Sequence, residues 1–292
     1  MSKGYRQKYP YYFLVPGIVV FSIFFLIPML SGFYYSLTDW NINVRKISFI
    51  GLDNFRELFS DVKLVTALKN SLIYAISVTV LRNFIGLALA LLLNTKVRLQ
   101  NLFRTTFFLP FVIAPMIIGY LFTVIYHPDF GVLNQGFRTI GLNMLAQDWL
   151  HDPKYALFSV IVVDVWRTSG FAMVIYLAGL QLIPSELLEA ADIDGAGFGK
   201  KFTYVMFPLL IPSVTINIVL SLIGTIKVFE MILALTNGGP GYATEVLNTY
   251  IMSVFSIGLC GLGTAANTLL SFIIIIISMP VFFFLKRREI EL

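Results

Sequence analysis

Cysteine is almost absent: Cys260 is the only one in 292 residues. That excludes a disulfide framework and a cysteine-based metal cluster. Histidine is nearly as scarce, with only His127 and His151, and neither stands in a ligand-like spacing, so no metal site is expected. Charge is the third shortage. There are 21 Lys+Arg and 16 Asp+Glu, 13% of the chain, where an ordinary soluble domain carries roughly 25%. So few charges cannot cover a water-facing surface without exposing large apolar patches. A disordered protein, a nucleic-acid-binding domain and an ordinary soluble enzyme are excluded together, and no nucleic-acid partner is expected. What is plentiful is apolar: 58% of residues are hydrophobic, 27 are Phe, and the mean hydropathy is +0.83. Membrane lipid is the solvent that suits such a chain. The net charge of +5 then reflects Lys and Arg gathered in cytoplasmic loops.

A bilayer-spanning helix needs ~20 mostly apolar residues. Six segments qualify: 11–37, 72–94, 105–126, 156–179, 204–226 and 264–285. The first is too long for the ~7–15-residue core of a signal peptide and has no small-x-small site after it, so it reads as a true span. The fold class is therefore an all-α polytopic membrane protein with six transmembrane helices. One membrane-spanning domain over 1–292 is expected, with a core of roughly 70–285 preceded by an extra N-terminal span and its outer loop.

Lys3, Arg6 and Lys8 precede the first span, Lys96, Arg98 and Arg104 follow the second, and Lys286, Arg287 and Arg288 follow the last. The loops 127–155 and 227–263 are poor in Lys and Arg. Both termini and the 94–105 loop are thus expected to be cytoplasmic. The 38–71 loop carries five basic residues and argues against this, but it also carries four acids and is longer.

The other cytoplasmic loop, 180–203, is unusual. It sets Lys200 and Lys201 against Glu186, Glu189, Asp192 and Asp194. Pro184 before Ser185-Glu186 suits a helix start, with acid facing the positive end of the dipole. Leu187, Leu188, Ala190, Ala191 and Ile193 give a short helix with an apolar side, and Gly195 suits its end. A second helical piece, 198–207, leads to Pro208 and the fifth span. A short amphipathic helix across a cytoplasmic loop suits docking into a partner's groove. Helices that lie on lipid prefer a basic polar face, and this one is acidic. The Gly-rich run Gly195–Lys200 is not a phosphate loop. The first glycine of that motif would fall on Asp194, and Lys201 stands where Ser or Thr should hold magnesium.

Glu189-Ala190-Ala191, Asp194-Gly195-Ala196, Phe202 and Pro208 resemble the EAA loop of ABC-importer permeases. Gly51–Phe55, Arg104–Pro110, Gly131–Asn134, Leu180–Pro184 and Thr236–Pro240 resemble the binding-protein-dependent sugar branch, which includes the maltose and glycerol-3-phosphate permeases. The resemblance covers nearly the whole chain. It implies a multi-pass subunit of a prokaryotic inner membrane that carries a carbohydrate inward and is not itself an enzyme. It also implies a second, homologous permease subunit, two cytoplasmic ATPase subunits and an external solute-binding protein. ATP and Mg would sit on the ATPases and no cofactor on this chain. Pro184, Leu187, Glu189, Ala190, Ala191, Asp194, Gly195, Ala196, Phe202 and Pro208 would form the ATPase-coupling segment. The competing class is an ion-gradient-driven secondary transporter, but the internal repeats and broken helices common there are not visible.

Charges inside spans are costly and usually face a bundle interior or a water path. Arg82, Asp164 and Arg167 are therefore candidates for the translocation path. Asp164 and Arg167 are three apart and share a helix face, and the plainer reading of them is a self-neutralised structural pair. Arg82 has no opposite charge within a turn. Asn217 and Ser221 in span five and Asn267 in span six lie on polar stripes that serve either helix packing or the path. Lys227, Glu230 and the turn Asn237, Gly238, Gly239 and Pro240 are candidates for contact with the binding protein.

Overall fold

The computed structural model describes residues 11–95 and 98–289, and those described are helical with one isolated β-bridge, Thr38 to Phe49. Five helices are long and apolar enough to cross a bilayer, or six when one bent pair is taken as a single span. The chain forms two compact units, residues 1–60 with 251–269 and residues 61–250 with 270–292.

The first unit opens with the apolar stretch Tyr12–Tyr35, which contains the helices α1 (Val15–Phe21) and α2 (Ile27–Tyr35). Pro16 occupies a first-turn position, where the missing N–H is not needed, and Pro28 follows the π turn Ser22–Leu26 within the continuous helix. None of its side chains is buried, which suits a helix solvated by lipid. Beyond it, α3 (Asp53–Ser60) brings Asn54 back under the helix end. The buried Asn54 amide donates to the Ser36 and Thr38 carbonyls, both at 2.8 Å. Two acceptors left over at a helix C-terminus are thus satisfied within a membrane protein, where water cannot serve them. This gives the Gly51–Phe55 motif a structural account.

The second unit is built on α4 (Val62–Leu93), 32 residues long. Asp61 caps it by accepting from the Lys63 amide at 2.8 Å. The helix begins ten residues before the expected 72. Lys63 and Lys69 mask its start in the sequence, and the Lys63 ammonium lies 3.8 Å from the Glu245 carboxylate. Next come α5 (Gln100–Val112) and α6 (Pro115–Ile125), which together occupy the expected third span but are bent by 96°. Pro115 has no N–H to continue the ladder, and it forces Ala114 into an extended conformation, ψ 135°. The short α7 (Val132–Thr139) follows. The span α8 (Ala156–Gln181) packs along α4. A Cβ on Gly86 would meet that of Ala172 at 2.6 Å, so a small residue is required at this crossing.

After the short α9 (Ser185–Ile193) and α10 (Phe198–Lys201), the chain runs on into α11 (Phe207–Ile226), so the fifth span starts near Phe198. Three further helices complete the chain: α12 (Glu230–Leu235), α13 (Leu247–Ser256) and α14 (Cys260–Lys286). Among the described residues the second unit has two apolar cores. One gathers Tyr74, Val78, Ile118, Val160, Met231 and Ile232; the other gathers Ala90, Met173, Tyr176, Leu177, Met206 and Leu210.

Candidate functional site

A cavity of ≈ 510 Å³ opens in the second unit where α4, α5, α8 and α11 meet the 227–231 segment. Its volume falls in the ~300–1,000 Å³ range of ligand sites. Asp164 and Arg167 lie on its wall, one helical turn apart, joined by an ion pair of 3.1 Å. The second Asp164 oxygen accepts from the buried Tyr74 hydroxyl at 2.8 Å. Both carboxylate oxygens are therefore engaged, one by a cation from its own helix and one by a neutral donor from α4.

Arg82 lies on the same wall and is only 6% exposed. Among the described residues no carboxylate stands within ion-pair distance of it, and its buried Nε has no acceptor. The guanidinium packs over the Phe171 ring at 5.7 Å. Phe171 stacks on Phe111 at 4.5 Å, and the Arg167 guanidinium lies over Phe111 at 5.8 Å. Two cations thus flank a stacked aromatic pair, and all four residues line the cavity. Lys227 and Glu230, expected to meet an external protein, line this cavity too, together with Thr225 and Gly224.

Asn217 and Ser221 occupy another place. They are fully buried in a hydrogen-bonded layer between α4, α8 and α11. Asn83 donates to Ser221 at 3.1 Å and accepts from Tyr176 at 2.7 Å, while Asn217 donates to the Ala172 carbonyl at 3.1 Å. Such contacts hold helices together in lipid. Asn267 is exposed on α14, in the first unit.

In the 180–203 loop, α9 starts after Pro184 with Glu186 in its first turn. At its end Gly195 takes φ +70°, its N–H donates to the Asp192 carbonyl at 3.1 Å, and the Ala196 N–H donates to the Ala191 carbonyl at 2.9 Å. This is a Schellman termination, and its left-handed residue favours glycine. Ala191 is buried and Leu188 packs on the core that holds Met173, Tyr176 and Met206. Leu187, Glu189, Ala190, Ile193 and Asp194 are exposed. Asp192 pairs with Lys201 across the loop. Phe202 is half-buried and packs on the core, and Pro208 lies in the first turn of α11.

Asn237, Gly239 and Pro240 border a smaller cavity of ≈ 220 Å³ with Leu150 and His151. Gly238 takes φ +82° and abuts the Glu245 carboxylate. The loop is tied to α4 by the Asn70 amide, which donates to the Tyr242, Ala243 and Glu245 carbonyls at 3.2, 3.1 and 3.0 Å. Burial pushes the Glu245 carboxyl above its ordinary value, against the Lys63 ammonium 3.8 Å away and a Thr249 hydrogen bond. Among the described residues, no group of three or more His, Cys, Asp or Glu is arranged to hold a metal.

The family described as "Binding-protein-dependent transport system inner membrane component" matches residues 82–289. The chain belongs to this family. The permease is 39% identical over 285 residues to "Probable ABC transporter permease protein YurN" of Bacillus subtilis, covering 97% of each chain. It is 33% identical over 282 residues to "Probable starch degradation products transport system permease protein AmyD" of Thermoanaerobacterium thermosulfurigenes, covering 96% of this chain and 94% of that one. Among solved structures it matches a chain of a bacterial ABC transporter "involved in the import of the acidic polysaccharide alginate". The TM-score is 0.82 at 26% identity, covering 95% of this chain and 94% of the other. The permease is thus a membrane transport subunit rather than an enzyme, and ATP hydrolysis is the work of other subunits.

Sequence reading missed Phe111, Phe171 and Tyr74. Nothing distinguishes one Phe among 27 until the fold stacks it between guanidiniums. Tyr74 left a faint signal: it stands eight residues before Arg82, hence on the same face of one helix.

Proposed function

We propose that the permease carries a carbohydrate into the cytoplasm as one of two homologous membrane subunits, driven by two ATPases and supplied by an external binding protein. ATP and Mg sit on the ATPases. Both termini and the 180–203 loop are cytoplasmic, and the exposed side of α9, with Leu187, Glu189, Ala190 and Asp194, enters the ATPase groove. The cavity beside Arg82, Asp164 and Arg167 is this subunit's share of the solute path. Lys227 and Glu230 stand where that path meets the outer side, and the Asn237–Pro240 loop receives the binding protein.

The observation that supports this reading most is the cavity itself. It combines guanidinium donors, a hydroxyl and stacked aromatic rings in one recess of a membrane subunit. Such a lining fits a polyhydroxylated solute, whose hydroxyls need hydrogen-bond partners and whose ring faces pack on aromatics. Named relatives fit the same solute class, among them the starch-products permease and "Trehalose/maltose transport system permease protein MalF" of Thermococcus litoralis. The test is uptake by proteoliposomes holding the permease, its partner permease and the ATPases. Accumulation of a labelled saccharide should require enclosed ATP and added binding protein. Uptake driven by an imposed proton or sodium gradient without ATP would refute the proposal.

A further inference from the structure

We propose that the solute bears an anionic group, a carboxylate, phosphate or sulfate on a saccharide, and that Arg82 is the side chain that receives it. This rests on the reading of the cavity as the solute path. Three cations, Arg82, Arg167 and Lys227, face it against two acids, Asp164 and Glu230. Asp164 is already spent: Arg167 holds one oxygen and Tyr74 the other. Glu230 and Lys227 are of opposite sign and cancel within the same lining. The uncompensated charge is Arg82.

The position of Arg82 makes that charge consequential. It is 94% buried, and its Nε finds no acceptor in the chain. The Phe171 ring attracts the guanidinium but does not neutralise it. An uncompensated cation inside a span is costly, and such residues persist where a pathway uses them. A neutral saccharide needs only hydroxyl and amide partners, which leave no net charge behind. A carboxylate, phosphate or sulfate needs a planar, permanently charged donor fork, and arginine supplies it bidentately.

The potential in the cavity can be read without knowing the solute. Gly224 lines the cavity, and a Cβ there meets nothing within 4 Å. In a Cys260→Ser background, Gly224→Cys places one thiol in the recess of the assembled complex. Its rates with an anionic and a cationic methanethiosulfonate reagent are compared, each scaled to a free thiol. The anionic reagent should be favoured, and the preference should fall by about tenfold in Arg82→Gln and with rising salt, while Arg82→Lys keeps it. No anionic preference in the unsubstituted complex, at low or high salt, would overturn the proposal, because another subunit's acid would then neutralise Arg82. That arm decides even if Arg82→Gln fails to assemble.

A second arm measures thermal shifts of the purified complex with trigalacturonate and with neutral maltotriose. A shift by trigalacturonate that weakens at least about tenfold in affinity in Arg82→Gln supports the proposal. A trigalacturonate shift that is unchanged in Arg82→Gln, or a maltotriose shift with none from trigalacturonate, overturns it and leaves the saccharide path standing. No shift with either sugar counts against the path reading, and the thiol rates then decide the charge.

Discussion

Replacing Asp164 by Leu should be among the most damaging single changes in the permease. The carboxylate is 7% exposed and its partner Arg167 is 14% exposed. Without it, Arg167 and Arg82 share one cavity wall with no acid between them, and the buried Tyr74 hydroxyl loses its acceptor. Removing one member of a buried ion pair costs about 3–5 kcal/mol, because the other charge is left uncompensated. The orphaned hydroxyl adds about 1–3 kcal/mol. Replacing both members should be milder, because Arg167 is then no longer left unpaired, although the orphaned Tyr74 hydroxyl keeps its cost. In Asp164→Leu/Arg167→Leu the lost pair is exchanged for apolar packing, which is often near neutral. The assay is reversible unfolding of the purified permease in mixed micelles, followed by tryptophan fluorescence as the fraction of SDS rises. The double-mutant cycle should give a coupling of at least about 2 kcal/mol. If Asp164→Leu costs less than about 1 kcal/mol, or the double variant loses the sum of both single losses, Asp164 does not neutralise Arg167. The charge count in the cavity is then wrong.

Two further outcomes follow from other parts of the molecule. Gly195→Trp and Glu189→Arg should leave membrane insertion intact but lower binding-protein-stimulated ATPase activity at least about tenfold; Gly195 holds φ +70° and Glu189 is on the exposed side of α9. Co-purification of the ATPases checks this, and full uptake in both variants would reduce the loop to a connector. The carboxyl of Glu245 is held above its ordinary value by burial, against Lys63 and Thr249, so the folded state binds this proton more tightly than the unfolded state. Its stabilising contribution is fully present below the ordinary carboxylate range and is lost as pH rises through the raised value. Melting curves should show stability falling over that window in the parent and a flatter profile in Glu245→Gln.

Five of the six expected segments were legible because lipid demands long apolar runs, and each corresponds to one long apolar helix. The bend in the third was not. Its composition is uniformly apolar, and the break comes from Pro115 acting on Ala114, a backbone effect that hydropathy does not register. The start of α4 was misplaced where Lys63 and Lys69 made helical turns look like a loop, whereas the helical piece expected over 198–207 runs on into α11. Within the cavity, charge in an apolar span pointed to Arg82, Asp164 and Arg167, because such residues are costly against lipid and usually face a bundle interior or a water path. The apolar lining was silent, since Phe111 and Phe171 differ from other phenylalanines only in what the fold brings beside them. Asn217 and Ser221 gave the opposite difficulty. Their polarity left helix packing and a path both open, and the structure places them in the buried layer with Asn83 and Tyr176.

The central claim is that the solute passes the cavity bounded by α4, α8 and α11, and filling that cavity tests it most directly. Gly224→Trp projects a large ring from a position whose Cβ has open space around it and which lines the recess. Proteoliposomes carrying this variant, the partner permease and the ATPases should retain assembly and ATP hydrolysis. Their uptake of a labelled saccharide delivered by the binding protein should fall at least about a hundredfold, since a blocked path leaves no alternative route through lipid. Uptake at the unsubstituted rate, with normal assembly, would contradict the account by showing that the solute travels elsewhere.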